Sequence, residues 1–179
     1  MDKKALLIID MSNDFVHENG TLTAGAPAQK IVQSILNSAN EFIGNEDHVF
    51  ICMDEHIEED EHFKLWPAHN IKGTWGQQLY GDLQVWYETN QNNPLVHFIP
   101  KPEYDAFHET NLTSLLREVG VSTVCLTGVC TDICVFLTAY GAYKERFKLV
   151  VYKDQTATFT ENHESFLEQM KTVFLAEIV

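Results

Sequence analysis

Five short apolar runs, at 5–9, 48–53, 95–99, 122–127 and 148–152, recur along the chain and are separated by stretches with helical spacing. Runs this short, bounded by polar and turn residues, predict strands buried on both faces. After the first, Ile31, Val32, Ile35, Leu36, Ala39, Phe42 and Ile43 fall on one helical face. Pro27 suits the start of that helix and Gly44 its stop. Thr110 is placed to cap a short helix with Leu112, Leu115, Leu116 and Val119 inward and Gly120 at its end. A further helix is predicted from 132 to about 145, and a last one carries Phe166, Met170, Val173 and Phe174 at i, i+4, i+7 and i+8. The apolar tail at 176–179 suits an edge strand. The alternation predicts one α/β domain over residues 1–179, with three αβα layers around a mostly parallel sheet of roughly six strands. The segment 54–93 breaks the rhythm. It is irregular and rich in Asp, Glu, His, Trp, Gly and Asn, and a stretch of that length in a compact domain is usually functional.

Composition narrows the partners. A net charge of −14 argues against nucleic acid and anionic membrane surfaces, because both reward basic patches. No apolar run approaches a membrane span, and the five apolar residues ahead of Asp10 are too few for a signal-peptide core. Cys52, Cys125, Cys130 and Cys134 are irregularly spaced, the first two inside strand-like runs, which is no disulfide framework. A cytoplasmic protein acting on a small molecule is the expectation. The oligomeric state stays open, a homo-oligomer included.

Three reactive residues stand at predicted carboxyl ends of strands, where open α/β sheets form their sites. These are Asp10, Lys101 and Cys134, the last in the run Gly128-Val129-Cys130-Thr131-Asp132-Ile133-Cys134 where a strand hands over to a helix. Each alone has an ordinary reading: a turn aspartate, a surface lysine, a buried thiol. Arriving at one sheet edge they supply a base, a cation and a nucleophile together. A second cluster follows the second strand. Asp54 and His56 alternate onto one face of an extended segment, and His62 and His69 follow. One carboxylate and up to three imidazoles suit zinc, iron or manganese. The acidic run 58–61 reads as a solvated face.

These residues carry a resemblance over nearly the whole chain to the nicotinamidase/pyrazinamidase family, within the isochorismatase-like cysteine hydrolases. Ile8-Ile9-Asp10-Met11-Ser12-Asn13-Asp14-Phe15 is similar to the family's opening motif, and Asp54-x-His56 with Trp66-Pro67-Ala68-His69-Asn70 to its metal motif. Lys101-Pro102-Glu103-Tyr104-Asp105-Ala106-Phe107 resembles the catalytic-lysine segment, and residues 128–135 the nucleophile segment. The resemblance implies a Rossmann-like strand order and Asp10, Lys101 and Cys134 as the catalytic triad. It implies one divalent metal, zinc foremost, on Asp54, His56 and His69, with His62 as fourth ligand and Glu61 or Glu59 as substitutes. Phe15, Trp66 and Tyr104 match positions that sandwich a pyridine ring. The backbone N–H groups of Cys130 and Cys134 match the oxyanion hole, with a cis peptide before Cys130. Ser12, Cys130 and Asp105 depart from the commoner Gln, Ala or Leu, and Ser or Thr, and none of these removes a catalytic group.

The implied activity is hydrolysis of nicotinamide, and of pyrazinamide-type analogues, to the acid and ammonia through a cysteine thioester in NAD salvage. Lys101 and the helix start are expected to lower the Cys134 pKa, and Asp10 to raise it while serving as proton acceptor. The alternatives are another amide or carbamoyl hydrolase of the superfamily, or a metal-binding protein whose Cys130 and Cys134 cycle to a disulfide. The second leaves Asp10 and Lys101 without a role.

Overall fold

The computed structural model describes residues 3–179, so Met1 and Asp2 lie outside the described residues. Its strands are β1 (Lys3–Ile9), β2 (His48–Asp54), β3 (Val96–Lys101), β4 (Val121–Val129), β5 (Lys148–Ala157) and β6 (Glu177–Ile178). They form one sheet in the order β3-β2-β1-β4-β5-β6 with every pairing parallel, the Rossmann-like order that the resemblance implies. The helices are α1 (Asn13–Val16), α2 (Ala26–Lys30), α3 (Val32–Gly44), α4 (Asp82–Asn90), α5 (Leu112–Glu118), α6 (Cys134–Lys144) and α7 (His163–Val173).

Period-two alternation divides β1 between two cores. Ala5, Leu7 and Ile9 pack with Leu112 and Leu116 of α5, Val135 and Ala139 of α6, and Leu167 and Met170 of α7. Leu6 and Ile8 face the other way, onto Ile35, Ala39 and Phe42 of α3 and Leu83 and Trp86 of α4. Because both faces are covered, the strands read as continuous apolar runs. Each fully buried Leu, Ile, Val or Phe among them contributes about 1.5–3 kcal/mol by leaving water.

Several elements differ from the sequence expectation. The helix expected from Pro27 is interrupted at Ile31, which closes α2 through its N–H to the Gln29 carbonyl before α3 begins. Gln29 reaches across to the Val16 carbonyl at 3.0 Å, anchoring α2 to α1 rather than to the axis of α3. The segment 54–93 is not wholly irregular, since it contains α4 and a 3-10 turn at Glu61–Lys64. The helix α4 buries only Leu83 and Trp86, too thin a stripe to show as periodicity, and Trp86 Nε1 fastens it to Asn40 Oδ1 of α3 at 2.9 Å. On α7 the core stripe is Leu167, Met170 and Phe174, while Val173 faces solvent.

β4 and β5 run past their apolar stretches, pairing Gly128 with Thr156 and Val129 with Ala157 after a register shift. Gly128 has φ +108°, and a Cβ there would collide with the Ile9 carbonyl. Only glycine lets the end of β4 lie this close to the end of β1. The strand order reverses direction between β1 and β4, and the carboxyl ends of β1 to β4 open there onto one crevice.

Candidate active site

Asp10 follows β1 at φ 54°, a left-handed conformation that aspartate tolerates better than most residues. It is fully buried and held at both ends. Its N–H donates to the Cys52 carbonyl at 2.9 Å, and its Oδ1 accepts the Asp54 N–H at 2.9 Å. Lys101 ends β3 directly beside Asp54 in the β2–β3 register, and is itself fully buried. Its Nζ lies 2.8 Å from Asp10 Oδ2, hydrogen-bonds Asp54 Oδ1, and donates to the Glu103 carbonyl at 3.1 Å. Cys134 is the first residue of α6, two positions later than the expected helix start, and its thiol is buried close enough to Asp10 and Lys101 for their charges to act on it. Three separate segments thus bring Asp10, Lys101 and Cys134 to one point.

Burial, followed by the charge of Asp54, pushes the Asp10 carboxyl up to about 6 against the pull of Lys101. Burial works against the Lys101 ammonium, but Asp10, Asp54 and the Cys134 sulfur outweigh it and hold its pKa well above that of an ordinary lysine. The Cys134 thiol is pushed well up by burial, with Lys101 opposing and Asp10 and Asp54 adding to the rise. Lys101 lowers and Asp10 raises the value as expected, but burial, which the sequence did not show, is the largest influence because desolvating a thiolate is costly. The resting sulfur is therefore held as a thiol.

Beside this group lie His56, His62 and His69, each offering a ring nitrogen within 4.8 Å of the others. His56 Nδ1 bonds Asp60 Oδ2 at 3.0 Å and His69 Nδ1 the Pro67 carbonyl at 2.7 Å. The opposite nitrogens, Nε2, stand 3.9 and 3.8 Å from Asp54 Oδ2. His56 Nε2 is buried without a hydrogen-bond partner, as expected of a lone pair reserved for a ligand bond. The three imidazoles form a compact donor set that fits a divalent ion, and Asp54 lies beside it, with Oδ2 near two of the rings and Oδ1 bonded to Lys101. His62 reaches the cluster on the Glu61–Lys64 turn. Glu61 instead pairs with Lys64 at the surface, and Glu59 is exposed.

A cavity of about 360 Å³ covers Cys134 and is lined by Phe15, Trp66, Tyr104, His62, His69 and Cys130, among others. Trp66 Nε1 donates to Tyr104 Oη at 3.0 Å, and the Phe15 ring lies 5.3 Å from that of His69. The Val129–Cys130 peptide is cis. The Cys130 carbonyl accepts from the N–H groups of Ile133 and Val135 at 3.0 and 3.1 Å, so the chain turns tightly into α6. Cys134, as first helical residue, has an N–H with no acceptor within its own helix. The Cys130 thiol is likewise pushed up, to about 12, by burial.

Sequence reasoning missed several contributors. Leu22, Ile133 and Phe159 complete the apolar wall of the cavity. Asp132 accepts from Thr158 and Thr160, both at 2.6 Å, tying the nucleophile turn to the loop that carries Phe159. Asp14 accepts from the N–H groups of Thr21 and Asn70 at 3.2 and 2.8 Å, joining the opening motif to the histidine segment. For Asp14 the available signal was its place in the opening motif at 8–15. For Phe159 there was only its position beyond a strand end.

An isochorismatase-domain model matches residues 4–178. The isochorismatase family protein PncA of Bacillus subtilis is 44% identical over 162 residues, covering 89% of this chain and 88% of that protein. The crystal structure of a pyrazinamidase/nicotinamidase from Streptococcus mutans superposes with a TM-score of 0.96 at 42% identity, over 99% of this chain and all of that one. A pyrazinamidase of Pyrococcus horikoshii in complex with zinc superposes at 0.87 and 28% identity, covering 99% and 98% of the two chains.

Proposed function

Since the chain belongs to the isochorismatase family, we propose that it is a nicotinamidase, hydrolysing nicotinamide and pyrazinamide-type analogues to the acid and ammonia in NAD salvage. The observation that carries this is a buried thiol beside a carboxylate–ammonium pair, in an aromatic cavity lined by His62 and His69 with His56 next to them.

The Cys134 thiol gives its proton to the Asp10 carboxylate as Sγ attacks the amide carbon. A carboxyl pushed up to about 6 accepts that proton more readily than an ordinary aspartate. The Lys101 ammonium keeps Asp10 oriented and offsets the negative charge passing between sulfur and carboxylate. The N–H groups of Cys130 and Cys134 receive the oxyanion, and one such donor is worth about 3–4 kcal/mol of barrier. Asp10 then protonates the departing nitrogen and ammonia leaves. The same carboxylate next takes a proton from water, which attacks the thioester, frees the acid and restores the thiol. Phe15, Trp66 and Tyr104 grip the ring. Asp54, His56, His62 and His69 would hold a divalent ion, zinc foremost and iron or manganese compatible with the same donors, which when bound offers a coordination position to the pyridine nitrogen. A cytoplasmic setting agrees with four free cysteines.

Ammonia release from nicotinamide, pyrazinamide, aliphatic amides and N-carbamoyl compounds tests the assignment. The two ring carboxamides are expected to have the highest kcat/KM, and a preference for an aliphatic or carbamoyl substrate would overturn it. Chelation is expected to raise KM for nicotinamide more than it lowers kcat, with the far-UV circular dichroism retained. Loss of the folded signal would make the ion structural instead.

A further inference from the structure

We propose that Asp60 is a positioning residue for the metal centre, holding two of its histidines at once. The inference rests on the reading of His56, His62 and His69 as ligands.

A neutral imidazole ligates through the nitrogen that carries no hydrogen, so whatever bonds the other nitrogen selects the ligand atom. An ionised carboxylate only accepts. Asp60 Oδ2, 3.0 Å from His56 Nδ1, therefore keeps the proton on Nδ1 and leaves the Nε2 lone pair turned towards the cluster. The other oxygen has a separate task. Asp60 Oδ1 accepts the His62 backbone N–H at 2.8 Å, making Asp60 the N-cap of the Glu61–Lys64 turn. That turn brings the His62 ring into a stack on His56, with centroids 4.9 Å apart and planes inclined by 16°. His69 needs no such help, because the Pro67 carbonyl sets its Nδ1 at 2.7 Å. With both oxygens engaged behind the rings, Asp60 acts through the histidines and is no ligand itself. Removing it frees the tautomer of His56 and loosens the turn beneath His62. The acidic run around it contains one residue with a defined task among solvated neighbours.

The full-length protein, stripped by a chelator and titrated with zinc against a chromophoric competitor, tests this. Asp60→Ala and Asp60→Asn are each expected to weaken zinc binding about 10- to 100-fold, the usual effect of losing such a partner. Asp60→Asn supplies one carbonyl oxygen for two donors, so one bond is lost in either orientation while size is preserved. The cobalt-loaded Asp60→Asn protein is expected to show shifted d–d bands, which a mere turn cap would leave in place, and a melting temperature close to wild type before metal is added. Wild-type affinity and bands in Asp60→Asn overturn the proposal, whatever Asp60→Ala does. Failure of the unaltered protein to bind zinc or cobalt would overturn the metal reading beneath it, and the two failures are told apart by that control.

Discussion

Cys134→Ala is expected to lower kcat for nicotinamide by roughly 10⁴- to 10⁶-fold, the scale seen when a covalent nucleophile is removed. The oxyanion donors and the cavity remain, so binding of nicotinamide should persist. The fold should persist as well. Cys134 sits at the start of α6 against the edge of a large core, and exchanging a thiol for a methyl side chain removes one atom and no structural charge. Cys130→Ala is the matched control. Its sulfur lines the same cavity, and its proposed contribution is a backbone N–H that alanine retains. That variant should keep activity within a few-fold of wild type. Steady-state ammonia release and thermal melts of both proteins measure these outcomes. An active Cys134→Ala enzyme, or an inactive but folded Cys130→Ala, would reverse the assignment of the two thiols.

Lys101→Met is expected to abolish turnover and also to destabilise the stripped protein by about 3–5 kcal/mol at neutral pH, the range for breaking a buried ion pair from one side. The reason is charge. Lys101 Nζ is the ammonium between two buried carboxylates, Asp10 and Asp54, and methionine fills its volume without replacing it. The sign with pH follows. Without the ammonium, both carboxyls are held above their unfolded values by burial and mutual repulsion, so the folded state binds more protons than the unfolded one. The deficit of Lys101→Met should therefore shrink as the pH falls from 7 to 5. Urea unfolding of chelator-treated wild type and variant at both pH values checks this, and a deficit that is absent or grows in acid would mean that the pair is not what holds this crevice together.

The two cases separate what is local from what is not. The strand starts, the stripes on α3 and α5, the nucleophile turn and the four groups of reactive residues were all legible, because each is written in short-range spacing. The helix α4 and the exposure of Val173 were not, since two buried residues leave no readable stripe and the buried side of α7 runs through Leu167 and Met170 instead of Val173. The polar ends of β5 became strand only because β4 was there to pair with them.

For the site, the chain by itself determined which side chains arrive at the carboxyl edge of the sheet, since alternation and strand ends are properties of consecutive residues. It determined the type of chemistry in the same way, by supplying thiol, carboxylate, ammonium and imidazole at those ends. What only the tertiary structure decided is their state. Burial makes Cys134 a thiol rather than a thiolate, and a neighbouring strand makes Asp54 a shared partner of Lys101 and the histidines. The Glu61–Lys64 turn brings His62 to the cluster and leaves Glu61 outside. Desolvation and mutual charge depend on what surrounds a group in three dimensions, and no spacing along the chain encodes them.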